Sequence, residues 1–407
     1  MPAKGKRSVL ELARANGLHL SGTNLERAGD HNQRVTLQAI RVNGPITRAE
    51  LAEITGLTAP AIASITKRLL NDNLIHDAGR TSGARGQPAI KLIINPDSCF
   101  SIGVNVDRDH ITMVVLDFAG GVRARASREI SFATPEVVQT FFRRSVGRLL
   151  SKAGVETNQV LGIGVAFPDE IQRANLPDQP PQYALWGKVS IDQLLAQAMP
   201  LPVFVENDAA AAAMGEMHFG LGHKYQSFFY VLVTAALGGG LVLNGNYFRG
   251  ADGRSGELGL LRSQDDPEKR QLQKIVSLSA LYAKLAAEGF RVESPKDLTQ
   301  LQGPAERIVE DWLEYSTESL LDSIFAINCL INPEAVLIGG RLPADLVDRL
   351  ADKLNQRLAS YSTVIPAIAP VARAATSDDA PAVGAAILPF SNLLLPTRSA
   401  LMKAAVN

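Results

Sequence analysis

The chain is poor in cysteine: Cys99 and Cys329 are the only two among 407 residues. That count excludes a disulfide framework and a multi-cysteine zinc site, and it makes a reducing, cytoplasmic setting the expected one. Long apolar runs are missing as well. No stretch reaches the roughly 18–20 apolar residues of a membrane helix, so no membrane partner is expected. The opening MPAKGKRSVLELARANGLHL is basic but has neither an apolar core nor a small-residue cleavage site, which argues against a secretory leader. Net charge is absent too, 41 Lys and Arg balancing 41 Asp and Glu. With 46% hydrophobic and 20% charged residues the composition is ordinary for a globular protein and excludes a largely disordered chain. The length suggests two or three domains.

The zero net charge conceals a division. Residues 1–95 hold thirteen Lys and Arg against seven Asp and Glu, a surplus of six positive charges that the remainder offsets. A basic N-terminal module on an acidic body points to a polyanionic partner, although a solvated surface would account for the charge equally well.

Within that module, VTLQAIRVNG places Val35, Leu37, Ile40 and Val42 on a helix that stops at Asn43-Gly44-Pro45. Thr47 followed three residues later by Glu50 has capping-box spacing, so a helix starts there, with Leu51 and Ile54 as its buried stripe and Gly56 closing it. A further helix starts at Thr58 with Pro60 in its first turn, and Ile62, Ile65, Leu69 and Leu70 recur at helical spacing. Helix, short glycine turn and helix make a helix-turn-helix. Thr47 and Arg48 open its first helix and are expected to contact DNA, as are the outer residues of the second. Thr58, Ala59, Pro60, Ala61, Ser64, Lys67 and Arg68 lie on the outer face of the second, small groups toward the base edges and cations toward phosphates. A β-hairpin follows, and its tip carries Arg85, Gly86 and Gln87, a wing able to enter a minor groove. Proteins that never touch DNA also use this shape; the wing and the charge surplus favour the DNA-binding reading.

From about Phe100 strands alternate with helices. FSIGVNVDRDHITMVVLDFAG reads as two strands around a polar turn, VLGIGVAFP and LPVFVEND as buried strands, and SFFYVLVTAALGGGLVLNG as strand, glycine-rich turn, strand. A helix begins near Asp208. An α/β body of this size calls for two lobes with a cleft between them.

Taken together, GTNLERAGDHNQRVTLQAI, GPITRAELAEITGLTAPAIASITKRLL, RGQP, VLGIGVAFP, VENDAAAAAMGE, ALGGGLVLNG, GADGRSGELG and NPEAVLIGGRL resemble the transcriptional-repressor branch of the ROK family. The resemblance implies a winged helix-turn-helix fused to a two-lobed, actin-like sugar-kinase fold. It also implies homodimers or homotetramers that bind double-stranded operator DNA and answer to a small carbohydrate. The expected boundaries are an extension over 1–30, the DNA-binding domain over 31–95, a small α/β lobe over 96–208 and a large α/β lobe over 209–407, the final helix staying with the large lobe or returning to the small one.

The family's kinases carry Asp-x-Gly-Gly-Thr in the first hairpin. Here the stretch is Asn105-Val106-Asp107-Arg108-Asp109, which sets two carboxylates where phosphates would lie. The second phosphate turn survives only as Gly238-Gly239-Gly240, which is better read as a tight turn between strands. The family's zinc-binding His is Leu260, and no Cys follows it. No catalytic residue, metal or cofactor is therefore expected.

The sugar-contacting positions fare better. Asn207, Asp208, Glu257 and Trp186 match positions of the family's sugar pocket, Asp208 standing where the kinases keep their base. Helix capping is the structural alternative for Asp208, and a surface carboxylate that for Glu257. Ala184 removes one polar contact, which points away from a glucose-like ligand toward a sugar acid, alcohol, glycoside or other derivative. The expected function is a sugar-controlled repressor of carbohydrate-utilisation genes. The rivals are an active ATP-dependent sugar kinase and a repressor controlled by a protein partner.

Overall fold

The computed structural model describes residues 25–80, 89–168, 181–251, 253–361, 367–376 and 379–396. They fall into two compact units, dividing between Asn95 and Pro96 and again between Phe390 and Ser391.

The N-terminal unit starts with helix α1 (Leu25–Asn43), so a helix runs through the boundary expected near residue 30. It is followed by β1 (Ile46–Thr47), α2 (Arg48–Thr55), α3 (Ala59–Asn71), β2 (Ile75–Arg80) and β3 (Ile90–Ile94). The strands form an antiparallel sheet in the order β1-β3-β2, with Ile46 opposite Leu92 and Ile75 opposite Ile94. Two residues of β1 are too few to show as an alternation in sequence. The core joins Leu37 and Ile40 of α1 to Ile46, Leu51, Ile62, Leu69, Ile75, Leu92 and Ile94. Each such side chain contributes roughly 1.5–3 kcal/mol on burial. Two expected core positions are outside it. Val42 is 46% exposed, because it lies about 200° around α1 from Ile40. Ile54 is 55% exposed, because α2 has only eight residues and Leu51 is its one buried side chain. Arg34 of α1 donates to the main-chain oxygens of Asn392 and Leu395, so a cation meets carbonyls at the end of the last helix.

The body contains two five-stranded sheets with the same plan. The first has the order β6-β5-β4-β7-β8 and is built from β4 (Phe100–Val106), β5 (His110–Asp117), β6 (Val122–Glu129), β7 (Val160–Ala166) and β8 (Val203–Glu206). The second has the order β11-β10-β9-β12-β13, from β9 (Phe228–Val233), β10 (Leu237–Leu243), β11 (Asn246–Tyr247), β12 (Ala335–Gly340) and β13 (Val371–Arg373). In each, three antiparallel strands are followed by two parallel ones. Parallel neighbours need long crossovers, supplied by α4 (Pro135–Ala153) and α5 (Ile191–Ala198) in the first half and by α7 (Leu278–Ala287), α8 (Pro304–Leu330) and α9 (Ala344–Ala359) in the second. A helix then follows the last parallel strand of each sheet: α6 (Asp208–Phe219) and α10 (Ala380–Leu393).

β8 is an edge strand and only Glu206 in it is fully buried, which corrects its reading as a buried strand. The final helix α10 lies against the first sheet. Ser101 Oγ donates to Ala386 O at 2.5 Å, and a Cβ on Gly103 or Gly164 would sit within 2 Å of the Ala382 or Ala385 oxygen.

The glycines of β10 are a further correction. The turn between β9 and β10 is Thr234–Ala236, and Gly238, Gly239 and Gly240 belong to the strand. A Cβ on Gly238 would come 2.8 Å from that of Ala209, and one on Gly240 would come 2.6 Å from that of Ala213. These glycines seat α6 on the sheet by close approach of backbone to helix.

Candidate functional site

The helix-turn-helix is set by its caps. The Thr47 hydroxyl donates to Glu50 Oε2 at 2.8 Å and accepts the Glu50 N–H at 3.3 Å. Gly56 takes φ 68°, the left-handed conformation that ends α2. The Thr58 hydroxyl accepts the Ala61 N–H at 3.4 Å to start α3. Ile62, Thr66 and Leu69 then face the core, leaving Thr58, Ala59, Pro60, Ser64, Lys67 and Arg68 exposed on the other side and Ala61 half-buried. Arg68 reaches back to Gln33 Oε1 at 2.9 Å. Thr47 and Arg48 are placed differently. Thr47 is buried and its hydroxyl is taken by Glu50; Arg48 Nε donates to Thr66 Oγ1 at 2.8 Å and ties α2 to α3. Arg85, Gly86 and Gln87 lie outside the described residues.

In the body, Asn207, Asp208 and Glu257 come together although fifty residues separate the first from the last. Asn207 and Asp208 stand at the C-terminal end of β8, the end of a parallel strand where open α/β sheets place ligands. Asn207 is the cap of α6: its Oδ1 accepts the N–H groups of Ala209 and Ala210 at 2.9 and 3.1 Å. Asp208 is therefore the first helical residue, where the helix dipole favours its charge. Glu257 enters from a loop that lies on β10, Gly256 with φ 85° approaching Gly239 so closely that a Cβ on Gly239 would meet its oxygen at 2.4 Å. Arg254 holds Glu257 Oε1 through Nη2 at 2.6 Å and Nε at 3.0 Å. The enclosed cavity is about 60 Å³, far below the roughly 300–1,000 Å³ of ligand pockets.

Trp186 is not part of this cleft. It is buried in the first sheet's core, its indole N–H donating to Ala133 O at 2.7 Å and its ring 4.9 Å from that of Phe167. Of the two carboxylates of the first hairpin, Asp109 is turned onto protein groups. Asp109 accepts from Arg341 Nη1 at 3.2 Å and lies 3.3 Å from His110 Nδ1. Burial works against its charge, but the contacts with His110 and Arg341 hold its carboxyl below the usual range. Asp107 is buried beside them.

Leu260 is 41% exposed, and the loop after it is pinned by charge. Buried Asp266 receives Arg270 Nη2 at 2.6 Å, the Arg270 N–H at 2.7 Å and the Tyr315 hydroxyl at 2.5 Å. Arg270 and Tyr315 hold its carboxyl far below the ordinary carboxylate range.

The sequence model of the ROK family matches residues 101–391, most of the chain. The chain belongs to the ROK family. A winged helix-turn-helix DNA-binding model matches residues 30–76. An uncharacterised protein of Sinorhizobium fredii, y4fQ, is 29% identical over 362 residues, 88% of this chain and 90% of that protein. The xylose repressor of Bacillus spizizenii is 27% identical over 228 residues, 56% of this chain and 59% of the repressor. Among solved structures, a ROK family transcriptional regulator described as a homologue of the E. coli MLC protein superposes with a TM-score of 0.66 at 21% identity, covering 90% of this chain and 96% of the other. That likeness is one of fold.

One residue of this ROK cleft and one beside it escaped sequence reasoning. Arg254 sits inside the matched string GADGRSGELG, but nothing in its spacing announces a pairing with Glu257. Glu206 is buried, pairs with Arg249 and accepts the Asn207 N–H at 3.1 Å. Its signal was a carboxylate in an otherwise apolar strand. No helix of the described residues is long and apolar enough to cross a membrane.

Proposed function

We propose that this ROK protein is a DNA-binding repressor whose hold on an operator is set by a small carbohydrate bound at Asn207, Asp208 and Glu257. The observation that carries the reading is the convergence of these three groups on one cleft, in a chain whose other unit is a winged helix-turn-helix. Two carboxylates and an amide accept and donate the hydrogen bonds a polyol offers. A relative named for xylose repression supports the choice of a sugar or sugar derivative. Trp186 serves packing, not ligand contact, on this reading.

The 60 Å³ cavity is small for a sugar, so the cleft opens for the ligand, and the polyol then displaces Arg254 from Glu257 Oε1. On the DNA side, α3 enters a major groove with Ser64 toward base edges and Lys67 and Arg68 toward phosphates, while the segment with Arg85, Gly86 and Gln87 supplies the wing. A homodimer or homotetramer presents two such modules to a palindromic site in the cytoplasm. The protein is not a kinase on this reading. Asp109 is held by Arg341 and His110, while Gly238 and Gly240 are packed against α6 and Gly239 against Gly256, which argues against a glycine cradle for phosphates at either position.

A gel-shift assay on the DNA upstream of the protein's own gene, with a panel of pentoses, hexoses and their derivatives, tests the proposal. One sugar should change DNA affinity about 5–150-fold, the range of ordinary coupling energies. Asp208→Asn should bind the same DNA without that response. Failure to bind any duplex, or ATP-dependent sugar phosphorylation lost in Asp208→Asn, would refute it.

A further inference from the structure

We propose that Asp107, Asp109 and His110, in the turn between β4 and β5, form a binding site for one divalent transition-metal ion. One ligand atom from each of the three lies within 4.8 Å of the others. His110 Nδ1 is 3.3 Å from Asp109 Oδ1 and 3.7 Å from Asp107 Oδ2. Two nitrogen or oxygen ligands on a tetrahedral ion at about 2.1 Å stand about 3.4 Å apart, so His110 already has nearly that spacing to each carboxylate, and the two carboxylates, within 4.8 Å of each other, close on the ion by side-chain rotation.

Two buried polar atoms point to an ion there. Asp107 is 3% exposed; its Oδ1 accepts the Arg108 N–H at 2.6 Å, but its Oδ2 has no hydrogen-bond partner. Asn105 is 2% exposed and its Oδ1 is likewise unpartnered, while its Nδ2 lies 3.2 Å from His110 Nε2. Turning the Asn105 amide over leaves its shape unchanged and lets Nε2–H donate to Oδ1. The Nδ1 lone pair then faces the oxygens of Asp107 and Asp109. In that tautomer three electron pairs converge on one point, the arrangement an ion takes up in place of the Nδ1–H contact with Asp109. A metal ion at that point satisfies Asp107 Oδ2 as a ligand, and Asn105 Oδ1 in this orientation is the outer acceptor that fixes the imidazole.

The charges around the turn agree. Arg341 answers Asp109 and Glu129, whereas Asp107 faces His110. One imidazole and two carboxylates suit zinc, manganese, iron(II) or cobalt(II). The set is too nitrogenous for calcium and too hard for copper(I). Since Arg341 follows β12 of the second sheet, an ion that takes Asp109 also loosens a tie between the two halves of the body.

The test uses the full chain, stripped by chelator dialysis and titrated with Zn²⁺ by calorimetry and with Co²⁺ by visible absorption. One equivalent per chain is expected, with a cobalt band typical of nitrogen and oxygen ligation. Asp107→Asn and His110→Ala should each weaken binding by at least about 10–100-fold, and Asn105→Ala by a similar factor through the outer shell. His223→Ala, an exposed histidine, should leave it unchanged. Circular dichroism checks that the variants fold; the isosteric Asp107→Asn serves if His110→Ala does not. No stoichiometric binding by the native chain, or full binding retained in the folded variants, overturns the proposal. A histidine that merely gains a proton gives the first of these results.

Discussion

Replacing Gly240 by alanine decides what the surviving glycines are for. No left-handed conformation is involved, so on backbone grounds alone alanine inside a strand would gain about 0.5–1 kcal/mol over glycine. The surroundings reverse the sign. The new Cβ would lie 2.6 Å from Ala213 Cβ and 2.9 Å from the Ala209 oxygen, against about 3.5–4.0 Å for carbon atoms in contact. Helix α6 must retreat by about 1 Å, and overpacking of this kind costs about 1–3 kcal/mol. Globular proteins unfold with an entropy of about 2.1 cal/mol/K per residue, so for a body of about 300 residues the melting temperature should fall by about 2–5 °C. Because α6 begins at Asp208, the retreat also moves Asn207 and Asp208. Loss of one hydrogen bond to a charged group, about 1.5–3 kcal/mol, would lower sugar affinity about 10–150-fold. Gly147→Ala is the control: it sits in α4 with nothing within 4 Å of its Cβ position, and alanine there should raise stability by about 0.5–1 kcal/mol. Calorimetric melting and sugar titration read both variants. A Gly240→Ala protein as stable as the native chain, with its sugar affinity intact, would refute the packing account.

Lys67→Ala should weaken operator binding by a similar factor for every sequence and reduce the slope of log affinity against log salt by about 0.9, since one phosphate contact is lost; an unchanged slope in filter-binding assays removes Lys67 from the phosphate contacts. Asp266→Asn should lower stability at neutral pH and flatten its acid dependence. The folded carboxyl of Asp266 is held below its unfolded value, so its contribution is complete above about pH 4 and is lost as the pH falls further. Denaturant melts of the two proteins that run parallel between about pH 3 and 6 would contradict that account.

Much of the fold was legible because it rests on local signals. Thr47 with Glu50, Gly56 at φ 68° and Thr58 before Pro60 are all cap chemistry within four residues, and each does in the structure what its spacing implied. The misreadings came where a residue's surroundings arrive from elsewhere in the chain. The β10 glycines looked like a turn because glycine is common in turns; their reason is Ala209 and Ala213, some thirty residues away. Asp107 and Asp109 read only as carboxylates set against phosphate, because nothing nearby in sequence shows that Arg341 lies against Asp109, 232 positions on. Trp186 was grouped with the sugar residues by its motif, whereas its indole N–H is matched to Ala133, a partner no motif names.

The pairing of Arg254 with Glu257 bears on how a ligand could act at all. A sugar that bound every arrangement of the protein equally well would shift nothing. In the arrangement seen here Glu257 Oε1 is answered by Arg254 and the cleft has room for little more than water, so a polyol that binds Oε1 competes with a guanidinium for it. The loop carrying both residues rests on Gly239 of β10, the strand that also seats α6 with Asn207 and Asp208 at its start. Displacing Arg254 therefore bears on both walls of the cleft through one strand. On the proposed reading, this loop supplies the difference in affinity between closed and open forms. Arg254→Ala removes the competition: sugar should bind it more tightly than the native chain, and DNA release should saturate at lower sugar concentration. Weaker sugar binding in that variant would instead make Arg254 a ligand contact and place the source of the coupling elsewhere.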